Sequence, residues 1–312
     1  MSLLIKKEGI YTTVQGLGTY GLQRFGINPQ GSMDRTAARL INLILGNSDS
    51  EPVIEMHFPA GEIIFEEACV FALGGADFHA SLAGEYVENW RCLRVKEAAV
   101  LKFGEKIRGN RCYLAVEGGL GIVTSNDSES HASIFGNQRL KKGYRIDYAP
   151  QNMALAGRQV ASSMLPIYSS FPTVRIVAGG EFAFLTVADQ QALIKENFVI
   201  TNDSNRMGFR LNGPAFKPIN TTEMVSAAVS FGTIQLLPSG QLIVLMADHQ
   251  TSGGYPRIAN VIAVDLPLLA QLGPNDKVAF KLIGIDEAER VTMQSEHDLQ
   301  RLRVGCEFGR YW

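Results

Sequence analysis

Cysteine is scarce in this sequence, and no two cysteines have the spacing of a paired metal-binding or redox motif. The 312 residues contain four cysteines, none of them in a CxxC arrangement: Cys69, Cys92, Cys112 and Cys306. Three of the four lie in apolar stretches with the texture of strands, where a free thiol packs like a small apolar group. This usage favours a reducing compartment, and we expect a cytoplasmic protein.

Long apolar runs and clusters of one charge are also missing. No stretch reaches the ~18 apolar residues that a membrane span requires, and the apolar run within the first seven residues is too short for a signal peptide. The 29 Lys and Arg are spread along a chain of net charge −2, so no basic patch for nucleic acid is present. We therefore expect neither a membrane nor a nucleic-acid partner.

Several well-known motifs are absent. The sequence has no GxxxxGK[ST] phosphate loop, no GxSxG, no HExxH and no EF-hand loop. A GxGxxG pattern occurs at residues 16–21, but Gly26 and Pro29 follow too soon for the long helix that a dinucleotide site needs. The five histidines are dispersed without metal-ligand spacing. We predict no metal site within this chain alone, and any use of ATP would need another subunit or a different cradle.

What is present is the pattern of a β protein. The hydrophobic content of 46% is enough for two cores, and most apolar runs are short, rich in Val, Ile, Phe and Tyr, and bounded by Gly, Asn or Pro. Helical spacing follows Asp34 and ends at Gly46, and a shorter helix capped by Asp265 ends at Gly273. A third helix is predicted over Asp286–Leu302. The fold class is therefore mainly β with a few short helices.

The chain also shows one candidate connection between two lobes. Residues Pro150–Pro172 lack periodicity and hold three prolines with several serines, which is typical of a linker. We therefore predict an N-terminal lobe over residues 1–160, a C-terminal lobe over 161–285, and a C-terminal helix and tail over 286–312.

The segment from Gly232 to Tyr255 carries the strongest functional signal. A hairpin through Pro238–Gly240 is predicted to lead into a buried strand, which delivers five consecutive polar side chains onto a loop that ends in two glycines. Such a loop offers a carboxylate, an imidazole, an amide and hydroxyls beside glycine amides, as active sites do. The alternative is that Asp248 and Thr251 only satisfy amides of a turn. The candidate residues of this loop are Asp248, His249, Gln250, Thr251, Ser252, Gly253, Gly254 and Tyr255.

The same segment carries a resemblance to a known family. Gly232–Gln235 and Asp248–Pro256 resemble the signature of the 5-oxoprolinase C-subunit family, also known as KipA-like proteins or allophanate hydrolase subunit 2. This biotin-dependent carboxyltransferase family is related to the carboxyltransferase region of urea carboxylase. Three further blocks, Gly31–Asp34, Gly74–Asp77 and Asn205–Gly208, resemble family blocks in the same order. The resemblance therefore covers nearly the whole chain.

The chain also departs from the family pattern. Gln15 is followed by Gly16 where relatives usually have Asp, and Gly18 is followed by Thr19 where they usually have Arg. His249 stands where an Arg is common. The chain thus lacks a carboxylate and positive charge that relatives carry at positions where we expect contact with the substrate.

The resemblance implies a fold, partners and a reaction. It implies two cyclophilin-like β-barrel lobes that act with a KipI-like B subunit and a LamB/YcsF-type A subunit. The implied reaction is the ATP-dependent opening of the small molecule 5-oxo-L-proline to L-glutamate. ATP with Mg²⁺ is expected at the level of the complex, and biotin is possible but not expected.

The resemblance also suggests roles for individual residues. Arg206 would clamp a carboxylate or phosphate, Asp248 would orient Arg206 or bind a magnesium ion brought by nucleotide, and His249 would carry a proton. Gln235 and Tyr255 would line the cleft, with Gln250, Thr251 and Ser252 beside them, while the amides of Gly253 and Gly254 would bind an anion. Asp34 is the remaining site candidate.

Two of these roles have simpler alternatives. Arg206 can form a structural ion pair with a nearby carboxylate such as Asp203, and Asp34 can serve only as a helix cap.

Two other functions compete with a catalytic role in a complex. A KipA-like regulator would bind and sequester a KipI-type partner, and a urea carboxylase or allophanate hydrolase relative would be a carboxyltransferase or amide hydrolase subunit. An enzyme subunit raises the turnover of its partner subunits, whereas a sequestering regulator changes only the availability of its partner. Dependence on biotin and bicarbonate would indicate the second.

Overall fold

The computed structural model describes residues 1–125, 128–132, 139–149, 155–217 and 224–308. The chain forms two compact units. Unit 1 comprises Met1–Leu17, Asp34–Pro166 and the residues from His297 onward, and unit 2 comprises Gly18–Met33 and Ile167–Glu296. The chain thus enters unit 2 twice, which the sequence did not indicate. The predicted lobe limits after residues 160 and 285 stay a prediction.

Unit 1 is built from two antiparallel sheets. Its elements are β1 (Ser2–Lys7), β2 (Thr12–Gln15), α1 (Arg35–Ile44), β3 (Val53–His57), β4 (Glu62–Phe65), β5 (Cys69–Asp77), β6 (Ser81–Leu82), β7 (Glu85–Tyr86), β8 (Cys92–Val95), β9 (Ala99–Lys102), β10 (Arg108–Val116), β11 (Leu120–Ser125), β12 (Ser128–Ala132) and β13 (Arg145–Tyr148). The strands of the first sheet lie in the order β12-β11-β13-β1-β4-β9-β6-β7, and those of the second in the order β2-β3-β10-β5-β8. The apolar core of this unit includes Phe65, Phe71 and Leu114, all fully buried.

Helix α1 confirms the helix predicted after Asp34. The Asp34 carboxylate accepts a hydrogen bond from the Ala37 amide at 2.8 Å, and Gly46 follows the helix with φ of 67°. Its buried face, which includes Ile41, packs against β5 and β10. Gly74 of β5 must lack a side chain here, because a Cβ would lie 2.6 Å from Ile41 Cγ2.

Unit 2 contains a closed seven-stranded barrel. Its elements are β14 (Thr173–Ala178), α2 (Val187–Lys195), β15 (Asn197–Ile200), β16 (Gly208–Asn212), β17 (Ala227–Ala228), β18 (Thr233–Leu236), β19 (Leu242–Leu245), β20 (Ser252–Gly253), β21 (Arg257–Val261), α3 (Leu266–Ala270) and β22 (Lys277–Leu282). The strand order around the barrel is β14-β21-β18-β19-β16-β15-β22. The ring closes through the parallel pair β14 and β22, whereas the other neighbours are antiparallel. Met33, from the first segment of the unit, is fully buried in the barrel core.

The predicted short helix after Asp265 is present as α3, but the expected cap is wrong. The Asp265 carboxylate makes no capping bond; it accepts hydrogen bonds from the Arg175 backbone amide at 2.7 Å and from its guanidinium at 2.9 and 2.6 Å. A charged donor from a distant strand outcompetes local amides, because charge-assisted hydrogen bonds are the stronger ones.

The remaining helices differ in extent from the sequence expectation. The C-terminal helix α4 (Ile285–Phe308) is longer than the predicted 286–302, and only Leu299 within it is buried. Helix α2 was not predicted. Leu193 is its only buried residue, so its sequence shows little of the apolar periodicity that indicates an amphipathic helix.

The mainly β class is confirmed, with four α-helices among the described residues. None of the helices within the described ranges is long and apolar enough to cross a bilayer.

Candidate functional site

The candidate site lies on the outer face of three neighbouring barrel strands, β16, β19 and β18. Along β16, Phe209 and Leu211 enter the barrel core, so Gly208 and Arg210 face away from it. The strand register places Arg210 opposite Ile243, and Ile243 opposite Gln235. Three side chains from distant parts of the chain therefore form one row across this face.

A pocket of about 450 Å³ opens on this row. Among the described residues, its polar lining contains one guanidinium, one carboxylate, three carboxamides, a hydroxyl and a phenol, and its apolar lining comes mainly from Leu, Ile and Met side chains. The lining residues are Asp203, Asn205, Met207, Gly208, Arg210, Gln235, Leu237, Pro238, Ser239, Ile243, Leu245, Gln250 and Tyr255.

The structure brings three of the predicted site residues, Gln235, Gln250 and Tyr255, to this pocket. The two carboxamides converge on Gly253: a Cβ there would lie 2.7 Å from both Gln235 Nε2 and Gln250 Nε2. Gln235 Nε2 also donates to the Tyr255 carbonyl at 3.4 Å. Gly253 therefore allows both amides to reach the same wall of the pocket.

The loop that holds these residues is fixed by a short two-stranded sheet. Strand β20 pairs with β17, with Gly253 opposite Ala227 and Ser252 opposite Ala228, and the Thr251 carbonyl accepts from the Val229 amide at 3.4 Å. Thr251 and Ser252 thus belong to the edge of this small sheet. Anion binding by the amides of Gly253 and Gly254 stays a prediction.

An ion pair holds the start of the same loop. Arg206 donates from Nε to Asp248 Oδ2 and from Nη2 to Asp248 Oδ1, both at 2.9 Å. Arg206 is only 5% exposed, and its Nη2 also donates to the Gly31 carbonyl at 2.7 Å. The alternative of a structural ion pair for Arg206 has this geometry, but the carboxylate is that of Asp248 and not of Asp203, which lines the pocket.

Asp248 also connects this loop to the first segment of unit 2. Asn28 Nδ2 donates to the Asp248 carbonyl at 3.2 Å, and the Asp248 amide donates to the Arg206 carbonyl at 2.8 Å. Of the two roles predicted for Asp248, orientation of Arg206 has the required geometry. The clamping of a substrate anion by Arg206 stays a prediction, because its guanidinium is engaged within the protein.

His249 is buried, with 3% of its surface exposed. Its Nδ1 lies 2.6 Å from the Gln250 carbonyl oxygen. A carbonyl oxygen only accepts, so Nδ1 carries the proton in this contact. His249 is not among the residues that line the pocket, and its role as a proton carrier stays a prediction.

Asp34 belongs to unit 1, where it caps α1 from a fully buried position. Its backbone amide donates to the Tyr113 hydroxyl at 2.8 Å, and that hydroxyl donates to Glu55 Oε2 at 2.9 Å. Burial, followed by the charges of Glu55 and Asp34, raises the pKa of Tyr113 well above its ordinary value. The capping alternative for Asp34 therefore has the geometry that the sequence suggested.

A second ion pair supports the wall behind Gln235. Arg257 lies opposite Gln235 in the sheet and donates from its backbone amide, Nε and Nη2 to the Glu181 carboxylate at 2.9, 2.9 and 2.7 Å. The hydrogen bonds of the Arg257 side chain lower the pKa of Glu181. Arg257 Nη1 also donates to the Ala228 carbonyl, which ties β21 to β17.

The buried thiols are unsuited to nucleophilic chemistry. Burial raises the pKa of Cys69 and of Cys92 to about 12, and it raises that of Cys112 further. The thiolate is the reactive form, so these residues remain protonated at neutral pH. They act as apolar packing groups, as the sequence indicated.

The sequence did not single out Arg210, Asp203 or Asn205 as site residues. Arg210 alternates with Phe209 and Leu211 in a strand, which is a local signal for a polar face. Its proximity to Gln235, however, depends on the pairing of three strands, and no local pattern reports that pairing.

The protein is thus a two-unit β protein. One unit is a closed barrel that carries a polar pocket on its outer face, and the other is built from two β-sheets. The model of the family described as carboxyltransferase domain, subdomain A and B, matches residues 25–282, and the chain belongs to this family.

Two curated proteins are similar over nearly their whole length. The chain is 31% identical over 296 residues to the C subunit of 5-oxoprolinase from Haemophilus influenzae, covering 93% of this chain and 94% of that protein. It is 32% identical over 306 residues to the C subunit of 5-oxoprolinase from Escherichia coli, covering 96% and 97%. The family resemblance read from the motifs is confirmed.

One solved structure shows the same fold. The K. lactis urea amidolyase matches with a TM-score of 0.86 at 21% identity, over 96% of this chain and 20% of that chain. At this identity the likeness shows the fold alone.

Within the described ranges, no group of three or more His, Cys, Asp or Glu side chains is arranged to hold a metal ion. The sequence also lacks a phosphate loop.

Proposed function

We propose that this chain is the C subunit of a 5-oxoprolinase, which opens 5-oxo-L-proline to L-glutamate together with A and B subunits and ATP. The observation that carries the proposal is the similarity to two proteins named as the C subunit of 5-oxoprolinase, at 31% and 32% identity over 94% and 97% of their lengths. Similarity over nearly the whole of both relatives favours a shared role over the reuse of one fold for another function.

The site geometry supports a role in holding a small polar substrate. The pocket offers carboxamides from Gln235 and Gln250 beside the guanidinium of Arg210. Amides and guanidinium groups recognise lactam and carboxylate groups respectively. In this proposal the chain binds and orients 5-oxoproline, and the ion pair between Arg206 and Asp248 fixes the loop that carries Gln250.

The proposal assigns nucleotide chemistry to the complex. ATP with Mg²⁺ would be held by the partners, a KipI-like B subunit and a LamB/YcsF-type A subunit. ATP supplies phosphoryl transfer that activates the lactam for opening. The residues of this chain would position the lactam and shield it from water.

A carboxyltransferase-like function is the second candidate. The matched family carries the name of a carboxyltransferase domain, and the fold is that of part of urea amidolyase. This alternative predicts activity that depends on biotin and bicarbonate. A KipA-like regulator would bind its B-type partner without adding turnover.

The decisive experiment measures 5-oxoproline-dependent ATP hydrolysis by the cognate A and B subunits, with and without this chain. The proposal expects turnover only with the chain present. Asp248→Ala and Arg206→Ala variants that still assemble are expected to lose most of this turnover. Binding to the B subunit without added turnover would replace the proposal with the regulatory function, and biotin- and bicarbonate-dependent activity would replace it with the carboxyltransferase.

A further inference from the structure

The row Arg210, Ile243 and Gln235 separates two chemically different groups by a fixed distance. Neighbouring strands in a sheet lie ~4.8 Å apart, so the Cα atoms of Arg210 and Gln235, two strands apart, are separated by roughly 10 Å. Both residues line the pocket. One end of the row therefore carries a guanidinium and the other end a carboxamide, with Ile243 on the strand between them.

The part of the pocket lining that the structure describes carries one charge of each sign: Arg210 is basic and Asp203 is acidic. Within the described ranges, Arg206 pairs with Asp248 and Arg257 pairs with Glu181, whereas no ion pair joins Arg210 to Asp203. A half-buried guanidinium in a pocket favours a carboxylate ligand, and bidentate hydrogen bonding fixes the orientation of that carboxylate.

The amide side of the pocket has complementary donors and acceptors. Gln235 and Gln250 each carry one carbonyl oxygen and one NH₂ group, and their Nε2 atoms both approach the wall formed by Gly253. A lactam or primary amide presents an N–H and a C=O side by side, which two adjacent carboxamides can satisfy together.

The floor between the two sides is apolar. Ile243 and Leu245 lie on it, and Gly208 leaves room for the Ile243 side chain, since a Cβ at Gly208 would lie 2.7 Å from Ile243 Cδ1. Methylene groups of a ligand would pack on this surface. The carboxylate of Asp203 at the edge disfavours a second negative charge in the ligand.

We propose that this pocket binds a small monocarboxylate that carries a lactam or amide, with Arg210 on the carboxylate, Gln235 and Gln250 on the amide, and Ile243 under the methylene groups. This inference rests on the proposed function and names the residues that recognise its substrate. It assigns substrate recognition to Arg210, whereas the buried Arg206 positions the neighbouring loop.

The test is ligand binding to the full chain by isothermal titration calorimetry and ligand-observed NMR, with four probes. They are 5-oxo-L-proline, 2-pyrrolidinone without the carboxylate, cyclopentanecarboxylate without the amide, and the dicarboxylate glutarate. We expect 5-oxo-L-proline to bind most tightly. Loss of the carboxylate or of the amide should each weaken binding several-fold, and glutarate should bind more weakly than 5-oxo-L-proline.

The Arg210→Gln variant tests the assignment directly. It should weaken 5-oxo-L-proline binding about tenfold or more, because a hydrogen-bonded charged partner is lost, and should leave 2-pyrrolidinone binding unchanged. Arg301→Gln is the matched control, since Arg301 is an exposed arginine on α4 with 68% of its side chain accessible, and it should bind every probe as the parent does. Circular dichroism of both variants checks that they are folded.

The outcomes separate this inference from the proposed function. If Arg210→Gln selectively weakens carboxylate probes while the assembled complex fails to turn over 5-oxoproline, the pocket assignment stands and the proposed function fails. If the complex turns over 5-oxoproline and Arg210→Gln leaves its KM unchanged, the pocket assignment is overturned and the function stands. Absence of binding to the isolated chain, together with an unchanged KM, also overturns the assignment.

Discussion

Arg206 and Asp248 face each other through two parallel hydrogen bonds of 2.9 Å, while the Asp248 backbone amide donates to the Arg206 carbonyl at 2.8 Å. Side chain and backbone thus join the same two residues. Because Arg206 also binds the Gly31 carbonyl, the pair holds three separate stretches of unit 2 together. We therefore regard it first as a positioning device for the loop that leads to Gln250.

Removal of one partner of this pair should destabilise the protein strongly. Asp248→Ala leaves a guanidinium buried without its counter-ion, and we expect the free energy of unfolding to fall by about 3–5 kcal/mol. Chemical denaturation measures this. Asp203→Ala removes an exposed aspartate and should change stability by less than about 0.5 kcal/mol. Similar losses for both variants would contradict the structural role of the pair.

Gly253→Ala should impair the site more than the fold. The added methyl would lie 2.7 Å from the amide nitrogens of Gln235 and Gln250, so both flexible side chains must move away. We expect the KM for 5-oxoproline in the assembled complex to rise several-fold. The loss of unfolding free energy should be about 1 kcal/mol, the low end for overpacking, because both carboxamides can move. Gly284→Ala is the control, because no atom lies within 4 Å of a Cβ there. An unchanged KM in Gly253→Ala would contradict the convergence of the two amides on this wall.

The ion pair of Glu181 and Arg257 should make part of the stability depend on pH. The pKa of Glu181 is lowered in the folded state, chiefly by hydrogen bonds from Arg257. The stability that Glu181 contributes is therefore fully present above the pKa that it has in the unfolded chain, and it is lost as the pH falls through the pKa of the folded state. We expect Glu181→Gln to reduce the free energy of unfolding by about 1–2 kcal/mol at pH 7. The difference from the parent should shrink as the pH is lowered below about 4.5.

Denaturant titrations of parent and variant at pH 7 and at acidic pH measure this difference. Glu307→Gln, which changes an exposed carboxylate on α4, should have little effect at pH 7. A difference between the parent and Glu181→Gln that grows on acidification would show that the carboxylate is not stabilised by Arg257.

The sequence predicted those parts of the structure that local patterns determine. Helix α1 was found because Asp34, its apolar stripe and Gly46 are neighbours in sequence, and the hairpin between β18 and β19 was found because Pro238–Gly240 is a local turn signal. Parts that depend on distant pairings were missed. Asp265 was expected to cap α3 because nothing local shows that Arg175 lies beside it.

The same limit applies to the site. The loop from Asp248 to Tyr255 was recognised from its run of polar residues, and of the predicted site residues Gln235, Gln250 and Tyr255 do line the pocket. Arg210 was not recognised as a site residue, since only the register of β16 against β19 and of β19 against β18 places it in line with Gln235. Sequence patterns report which face a side chain occupies, but not which strand lies beside it.

The double entry of the chain into unit 2 has a practical consequence for anyone who wishes to dissect the protein. A fragment that begins at Ile167 would contain every strand of the barrel and still lack Met33 from its core and the Gly31 carbonyl that Arg206 binds. During synthesis on the ribosome, residues 18–33 emerge long before the barrel that receives them. Neither a single proteolytic cut nor a single gene truncation therefore yields an intact unit 2, which would need a supplied peptide or a circularly permuted gene.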